Sequence, residues 1–263
     1  MHTRLIQRCG VAGYYLVILL LAGALVGWAS EPPEQKVAEG QHSFRISGEG
    51  AEESWVLFRD GEGYRAESRL QFKPSAGSVE IATRFWLDPD LSLVRWESAA
   101  EGKDRKWGCA LAKEEVRCWD DGDEGRLAIS GPYLFHPMVP PSVWFLVGVL
   151  QPHRFQSTAK RVRVVFWDVA DGPTDLTASS ELEIVYFGQE SFRLGNKDFN
   201  SYKFLLTPTV EEAAEALGPG ATVLVTAEGV PLTGWARNES GEKEELGTLI
   251  RYEKYAEFGP GVE

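Results

Sequence analysis

The chain has 263 residues and a formal net charge of −12 at pH 7, because 39 Asp and Glu side chains outnumber 27 Lys and Arg side chains. A surface this acidic repels phosphates, so a general electrostatic binder of nucleic acids is disfavoured. Charged residues at 25% and hydrophobic residues at 43% are typical of a globular protein and exclude a disordered or fibrous one.

Residues 1–29 predict a secretory signal peptide. They contain Arg4 and Arg8 but no acid, and an uncharged run over residues 9–30 ends with small residues that suit cleavage after Ala29. The alternative is an uncleaved anchor, since this run is long enough to span a bilayer. In both cases the rest of the chain, with a net charge of −14, is expected to be periplasmic or extracellular. Membrane contact is expected only through residues 9–30, if they are not cleaved.

The remainder is predicted to be one β domain with short flanking segments. Residues 30–40 are polar and contain Pro32 and Pro33, which predicts a stiff linker. Residues 41–256 are expected to form the domain, and residues 257–263 a flexible tail.

Short strands separated by turn residues run along the whole domain. They recur about every 8–12 residues, which indicates an antiparallel meander, sandwich or barrel. The predicted strands are residues 44–46, 55–58, 64–72, 79–87, 91–97, 161–167, 182–187, 191–194, 199–206, 222–226, 231–237 and 246–255.

Residues 107–119 predict a further hairpin that contains Cys109 and Cys118. With the tip at 113–114, the two cysteines face each other at a non-hydrogen-bonded pair, where Cα atoms are about 4.5 Å apart. That separation permits a disulfide, and an oxidising compartment would allow it to form. The alternative is a pair of buried thiols.

Two segments predict helices instead of strands. Residues 140–150 begin with Pro-Pro-Ser and continue as an apolar run, which favours a short helix capped by Ser142. Because this run is apolar on nearly every side, it must be buried or cover something apolar. Residues 211–218 are acidic at their start and end in Gly218, which predicts a second short helix.

The sequence contains no recognisable catalytic motif. His136 and His153 flank the apolar 140–150 segment and could converge, but polar groups at the ends of a short helix are the simpler interpretation. The acidic run 120–125 fails the calcium-loop spacing and predicts a solvated turn. We therefore expect no enzyme, no cofactor and no metal site.

The sequence resembles a family of exported bacterial proteins of unknown function whose fold is similar to the LolA/LolB lipoprotein carriers. The resemblance lies in turn and strand signals, not in functional motifs: residues 60–64, 186–190, 194–195, 202–203 and 229–232. It implies a strongly curved antiparallel sheet, an open or half β-barrel, with a short helix over its concave face.

Three hypotheses of function remain open. The first is a non-enzymatic exported protein that binds or carries a lipid or other hydrophobic molecule in the half-barrel cavity. The second is a structural or interaction module of the cell envelope with a packed core, and the third is a hydrolase that uses acidic residues. For the first, the candidate lid or cavity residues are Trp144, Phe145, Val147, Leu150, Tyr202 and Phe204.

Overall fold

A computed structural model describes residues 34–259, with gaps at 47–48, 73–77, 101, 103, 113, 131–132, 138–141, 153–158, 168–176, 210–219 and 238–241. Residues Lys36–Glu263 form one compact unit. The strands are β1 (Gln35–Ile46), β2 (Glu49–Asp60), β3 (Gly63–Phe72), β4 (Val79–Leu87), β5 (Leu93–Ala100), β6 (Lys106–Leu111), β7 (Glu115–Asp120), β8 (Asp123–Ala128), β9 (Tyr133–Pro137), β10 (Lys160–Trp167), β11 (Thr177–Leu194), β12 (Lys197–Pro208), β13 (Ala221–Val225), β14 (Pro231–Arg237) and β15 (Lys243–Lys254). The helix α1 is Trp144–Val147.

All of these strands belong to one sheet in the order β8-β7-β6-β5-β4-β3-β2-β1-β15-β14-β13-β12-β11-β10-β9. The chain starts at the middle of the sheet, runs outward as a meander to β8, crosses to the opposite edge at β9, and returns to β15 beside β1. Every pairing is antiparallel except that of β9 with β10, which is parallel and contains α1 in its connection. The sheet remains open between β8 and β9.

The chain connection between the two edges requires the sheet to curve strongly. Fifteen strands at about 4.8 Å spacing would be roughly 67 Å wide if they were flat. Yet β8 ends at Ala128 and β9 begins at Tyr133, so the connection spans at most about 18 Å. The two edges must therefore come close together, which confirms the predicted open, barrel-like sheet.

Alternation along the strands places one set of side chains on the concave face. On β2, for example, Glu53, Trp55 and Leu57 are buried, whereas Ser54 and Val56 lie on the outer face. The inward-facing residues form two apolar clusters, one mainly on β1–β7 with contributions from β14 and β15, the other on β10–β13. Burial of each large side chain contributes about 1.5–3 kcal/mol to stability.

Both predicted domain boundaries were wrong by several residues. The first strand begins at Gln35, inside the predicted linker 30–40, and Val37 and Ala38 are fully buried there. At the other end, Phe258 in the predicted tail is 3% exposed, and the Gly259 N–H donates to the Tyr64 hydroxyl at 3.0 Å. Val37 and Ala38 follow each other directly and are both buried, so the start of β1 shows no period-2 alternation that would mark it as a strand.

The second half of the sheet differs from the predicted strands at two places. Residues 182–187 and 191–194 are not separate strands but parts of β11, because Gly188 adopts a positive φ of 105° in a β-bulge. The strands β8 and β9 were not predicted. The acidic run does contain the predicted turn, at Asp121 and Gly122, but β8 begins directly after it.

The predicted disulfide is present. The β6–β7 register pairs Cys109 with Cys118, Ala110 with Arg117, and Leu111 with Val116, as expected for a tip at 113–114. The cysteine Cα atoms are 4.0 Å apart and both side chains are fully buried in the first cluster. Such a bond is compatible with an exported protein. The predicted leader and the predicted helix at 211–218 lie outside the described residues, and none of the described helices could cross a bilayer.

We expect replacement of both cysteines by Ala to lower the free energy of unfolding by about 2–3 kcal/mol, because the disulfide closes a short loop in the unfolded chain. Urea denaturation of the variant and of the oxidised protein would measure this difference. Equal midpoints with and without the disulfide would show that the bond adds no stability.

Candidate functional site

The concave face of the sheet is the candidate site, and α1 lies on it. The helix is a single turn, and Val143 before it also has helical backbone angles. The Phe145 N–H donates to the Ser142 carbonyl at 3.2 Å, and the Leu150 N–H donates to the Leu146 carbonyl at 2.9 Å. The predicted short helix within residues 140–150 is thus present, but it is regular only over Trp144–Val147 and its N-cap is Val143, not the predicted Ser142.

Three of the six predicted lid or cavity residues are packed into the first apolar cluster. Trp144 and Val147 are fully buried, and Phe145 is 9% exposed. The Trp144 ring meets Trp55 edge-on with 5.1 Å between centroids, and Phe145 is similarly placed 5.2 Å from Phe85. These side chains are therefore packed against the sheet beneath α1.

The other three predicted residues lie in the second cluster. Leu150 and Phe204 are fully buried there, and Tyr202 is half-buried. Tyr186 stands beside both β12 residues, at 6.3 Å from the Tyr202 ring and 5.5 Å from the Phe204 ring. The structure therefore divides the six candidates between two sides of the helical segment and does not bring them around one space.

A buried glutamate binds the beginning of the helical segment to the sheet. Glu53 on β2 is completely buried. Its Oε1 accepts hydrogen bonds from the Ser142 hydroxyl at 2.5 Å and from the Ser68 hydroxyl, and its Oε2 accepts from the Val143 N–H at 3.2 Å. Burial raises the pKa of this carboxyl, while the three donors act in the opposite direction.

The end of the helical segment is bound to two turns of the sheet. The Gln151 amide donates to the Val147 carbonyl and to the Glu228 carbonyl of the β13–β14 turn, each at 2.8 Å. Gly148 packs against the turn between β4 and β5, where an added Cβ would lie 2.8 Å from the Leu91 carbonyl oxygen. Only glycine permits this approach, so the segment is held firmly at both ends.

His42 connects β1 to the same packed centre. Its Nε2 lies 2.7 Å from the Pro231 carbonyl oxygen, and the Trp55 indole N–H donates to Nδ1 at 3.1 Å. A carbonyl acceptor at Nε2 and an N–H donor at Nδ1 fix the neutral tautomer with its proton on Nε2. Burial lowers the pKa of His42 to about 4.

Several buried polar groups of this face are engaged in structural contacts, whereas the Trp107 and Trp144 indole N–H groups, the Gln151 Oε1 and the Tyr252 hydroxyl have no hydrogen-bond partner within the ranges that the structure describes. Ser68, Thr83 and Ser98 form one cross-strand row on β3–β5, and the Thr83 and Ser98 hydroxyls are 2.7 Å apart. Among the described residues, the buried acids are Glu53 and Asp120, and Arg105 forms a two-point ion pair with Asp120. Of the two buried acids, Glu53 is the one that binds the helical segment to the sheet.

Sequence reasoning missed Glu53 and did not assign a role to His42. The alternation Glu53-Ser54-Trp55-Val56-Leu57 places Glu53 on the same face as Trp55 and Leu57, which was an available signal. Of the two other body histidines, His136 lies on β9 opposite Phe166, and His153 lies outside the described residues.

Comparison with known proteins supports the fold. A β-barrel-like protein from Brucella abortus with a domain of unknown function, DUF1849, has a TM-score of 0.50 and 12% identity, covering 84% of this chain and 98% of that one. A DUF1089 family protein from Pseudomonas aeruginosa has a TM-score of 0.42 and 17% identity, covering 68% and 87%. No protein-family model and no curated protein matches the sequence. The chain is therefore similar in fold to the β-barrel-like DUF1849 protein, and the resemblance to the LolA/LolB carriers stays a prediction.

The buried His42 predicts a loss of stability in acid. Its folded pKa of about 4 lies below the unfolded value of 6.5, so the unfolded chain takes up a proton first as pH falls. The neutral histidine therefore contributes full stability above pH 6.5, and about 3 kcal/mol is lost as pH falls from 6.5 to 4. Unfolding free energies of the wild type and His42→Gln, measured across this range, should converge in acid. Parallel curves would contradict a neutral buried His42.

Proposed function

We propose that this protein is a non-catalytic, exported module of the cell envelope that serves a structural or interaction role. The observation that carries the proposal is the position of α1, whose side chains occupy the concave face where the half-barrel would otherwise hold a ligand. Trp144 and Val147 are fully buried and Phe145 nearly so.

The contacts at the two ends of α1 support this role. A lid that opens for a ligand is drawn from the less stable parts of a fold, with few buried contacts. The segment here is bound by Glu53 at its start and by Gln151 at its end, and its apolar side chains lie inside the core. Opening it would expose those side chains and leave the Glu53 carboxylate without its Ser142 and Val143 donors.

The non-catalytic part of the proposal rests on the state of the buried polar groups. A hydrolase needs carboxylates that reach substrate and water in a cleft. In the described part of the chain, Glu53 is completely enclosed and Asp120 is held by Arg105. Export is supported by the disulfide between Cys109 and Cys118.

Carriage of a lipid or other hydrophobic molecule is the second candidate. The observation in its favour is the half-buried pair Tyr186 and Tyr202, which lies beside Leu146 and Val149 in the second cluster. Such a set of rings could hold an acyl chain against the side of the helical segment.

Titration with a fluorescent long-chain fatty acid separates the two candidates. We expect the wild-type protein to show no saturable binding and to carry no stoichiometric lipid after purification. Phe145→Ala is the matched control, because the apolar cavity left by this ring is about the size of benzene and too small for a fatty acid, so this variant should also show no saturable binding. Saturable binding by the wild type, abolished by Tyr202→Ala, would contradict the packed module and establish the carrier.

A further inference from the structure

A polar groove on the outer face of the sheet has the features of a ligand site. It has a volume of about 600 Å³, within the usual range for small-ligand sites, and lies over β1–β6 and β15. Its charged residues alternate along the strands with buried residues of the concave face, as Glu67 and Arg69 do with Ser68, although Trp55, Ser68 and Ser98 of that face also border the groove. The charged side chains of the groove therefore lie on the face of the sheet opposite α1.

Small side chains form the floor of the groove. Ser54, Ala82 and Ala99 belong to one cross-strand row, in which Arg69 and Lys106 also stand. Because the small residues lie between larger neighbours, they leave a depression in the sheet surface. The two basic residues are three strand spacings apart, about 14 Å, on opposite sides of the paired alanines.

The walls of the groove carry both signs of charge. The neighbouring row pairs Glu67 with Arg84 and Arg84 with Glu97 across β3–β5. Arg84 lies 3.2 Å from the Glu67 carboxylate, and its guanidinium carbon lies 5.8 Å from the centre of the Trp86 ring. With Arg251 and Glu39 at the β15–β1 side, four basic and three acidic side chains line the groove.

This concentration of bases is unusual for the chain. The whole sequence has 27 basic and 39 acidic residues, whereas four basic and three acidic residues line the groove. Two of these bases also pair with acids beside the groove, Arg69 with Glu80 at 3.7 Å and Arg251 with Glu253 at 2.8 Å. Guanidinium and ammonium groups recognise carboxylates, and Arg does so through two parallel hydrogen bonds. An anionic ligand is therefore complementary to the groove, whereas most of the remaining acidic surface would repel it.

The three glutamates restrict which anion fits. A densely charged polymer such as a nucleic acid would be repelled by Glu39, Glu67 and Glu97 and by the net charge of −12. A ligand that combines carboxylates with many hydroxyl donors can satisfy both the basic groups and the glutamate oxygens, which only accept hydrogen bonds. Acidic sugars have this combination.

We propose that the outer groove binds an acidic oligosaccharide, with Arg69, Arg84 and Lys106 holding its carboxylates and the groove glutamates accepting from its hydroxyls. This site is independent of the packed concave face, so it extends the proposed function to a ligand class without relying on it. Binding at such exposed charges should weaken as salt is added.

Calorimetric titration of the full-length protein with tetragalacturonate at low ionic strength tests the proposal. We expect saturable binding that maltotetraose, its neutral counterpart, does not reproduce. The double variant Arg69→Ser with Lys106→Ser should weaken binding at least about 10-fold, since two charge-assisted contacts are lost. Both side chains are exposed, so the variant should unfold at the wild-type temperature.

The matched control is Arg161→Ser with Arg193→Ser, which removes the same charge from exposed positions on β10 and β11. We expect its affinity for tetragalacturonate to stay within about 2-fold of wild type, because the removed charges lie outside the groove. An absence of binding by the wild type, an equal loss in the control, or equal binding of maltotetraose would overturn the proposal. Tighter binding of decaglutamate or of anionic vesicles through Arg69 and Lys106 would also overturn it, in favour of a protein or membrane partner.

Discussion

The buried carboxylate of Glu53 is the constraint on which the arrangement of the concave face depends. Taking an ionisable group out of water costs several kcal/mol unless its lone pairs are satisfied. Here the two oxygens receive three donors, one from the sheet at Ser68 and two from the helical segment at Ser142 and Val143. Because the donors come from segments far apart in sequence, the glutamate can be buried only when α1 is in place.

That dependence explains how a short apolar helix becomes part of the core. A single turn such as Trp144–Val147 has little stability of its own, since helix formation needs a costly nucleus. Its position comes from tertiary contacts: Glu53 at the start, Gln151 at the end, and aromatic contacts beneath it. The side chains Trp144, Phe145 and Val147 thereby become part of the first apolar cluster of the sheet.

Much of the fold could be predicted from the sequence because its signals are local. Alternation predicted most of the strands, and the spacing of Cys109 and Cys118 predicted both the register and the disulfide. The strands β8 and β9 were not predicted, because β8 follows an acidic turn and β9 contains no clear alternation of apolar and polar residues. The boundary at Gln35 was not predicted because Val37 and Ala38, both buried, are adjacent and give no alternation.

The site was harder to predict because it depends on long-range contacts. The apolar character of residues 143–150 predicted that they are buried, and the structure confirms this burial. No local sequence pattern distinguishes a segment that opens over a cavity from one that is permanently packed in the core. The six residues predicted to line a cavity or form a lid are divided between two apolar clusters, and their role in binding a ligand stays a prediction. The outer groove arises from cross-strand rows, such as that joining Ser54 to Lys106, which no single segment of sequence contains.

The central claim is that α1 is a fixed part of the core, and amide hydrogen exchange tests it most directly. The Val147 and Leu150 N–H groups donate to the Val143 and Leu146 carbonyls, so each has a bond that must break before exchange. We predict that both amides exchange only through global unfolding, with the same free energy as the central amides of β2 and β3. Exchange of these two amides at a free energy well below that of the sheet would show that the segment opens by itself, and would contradict the account.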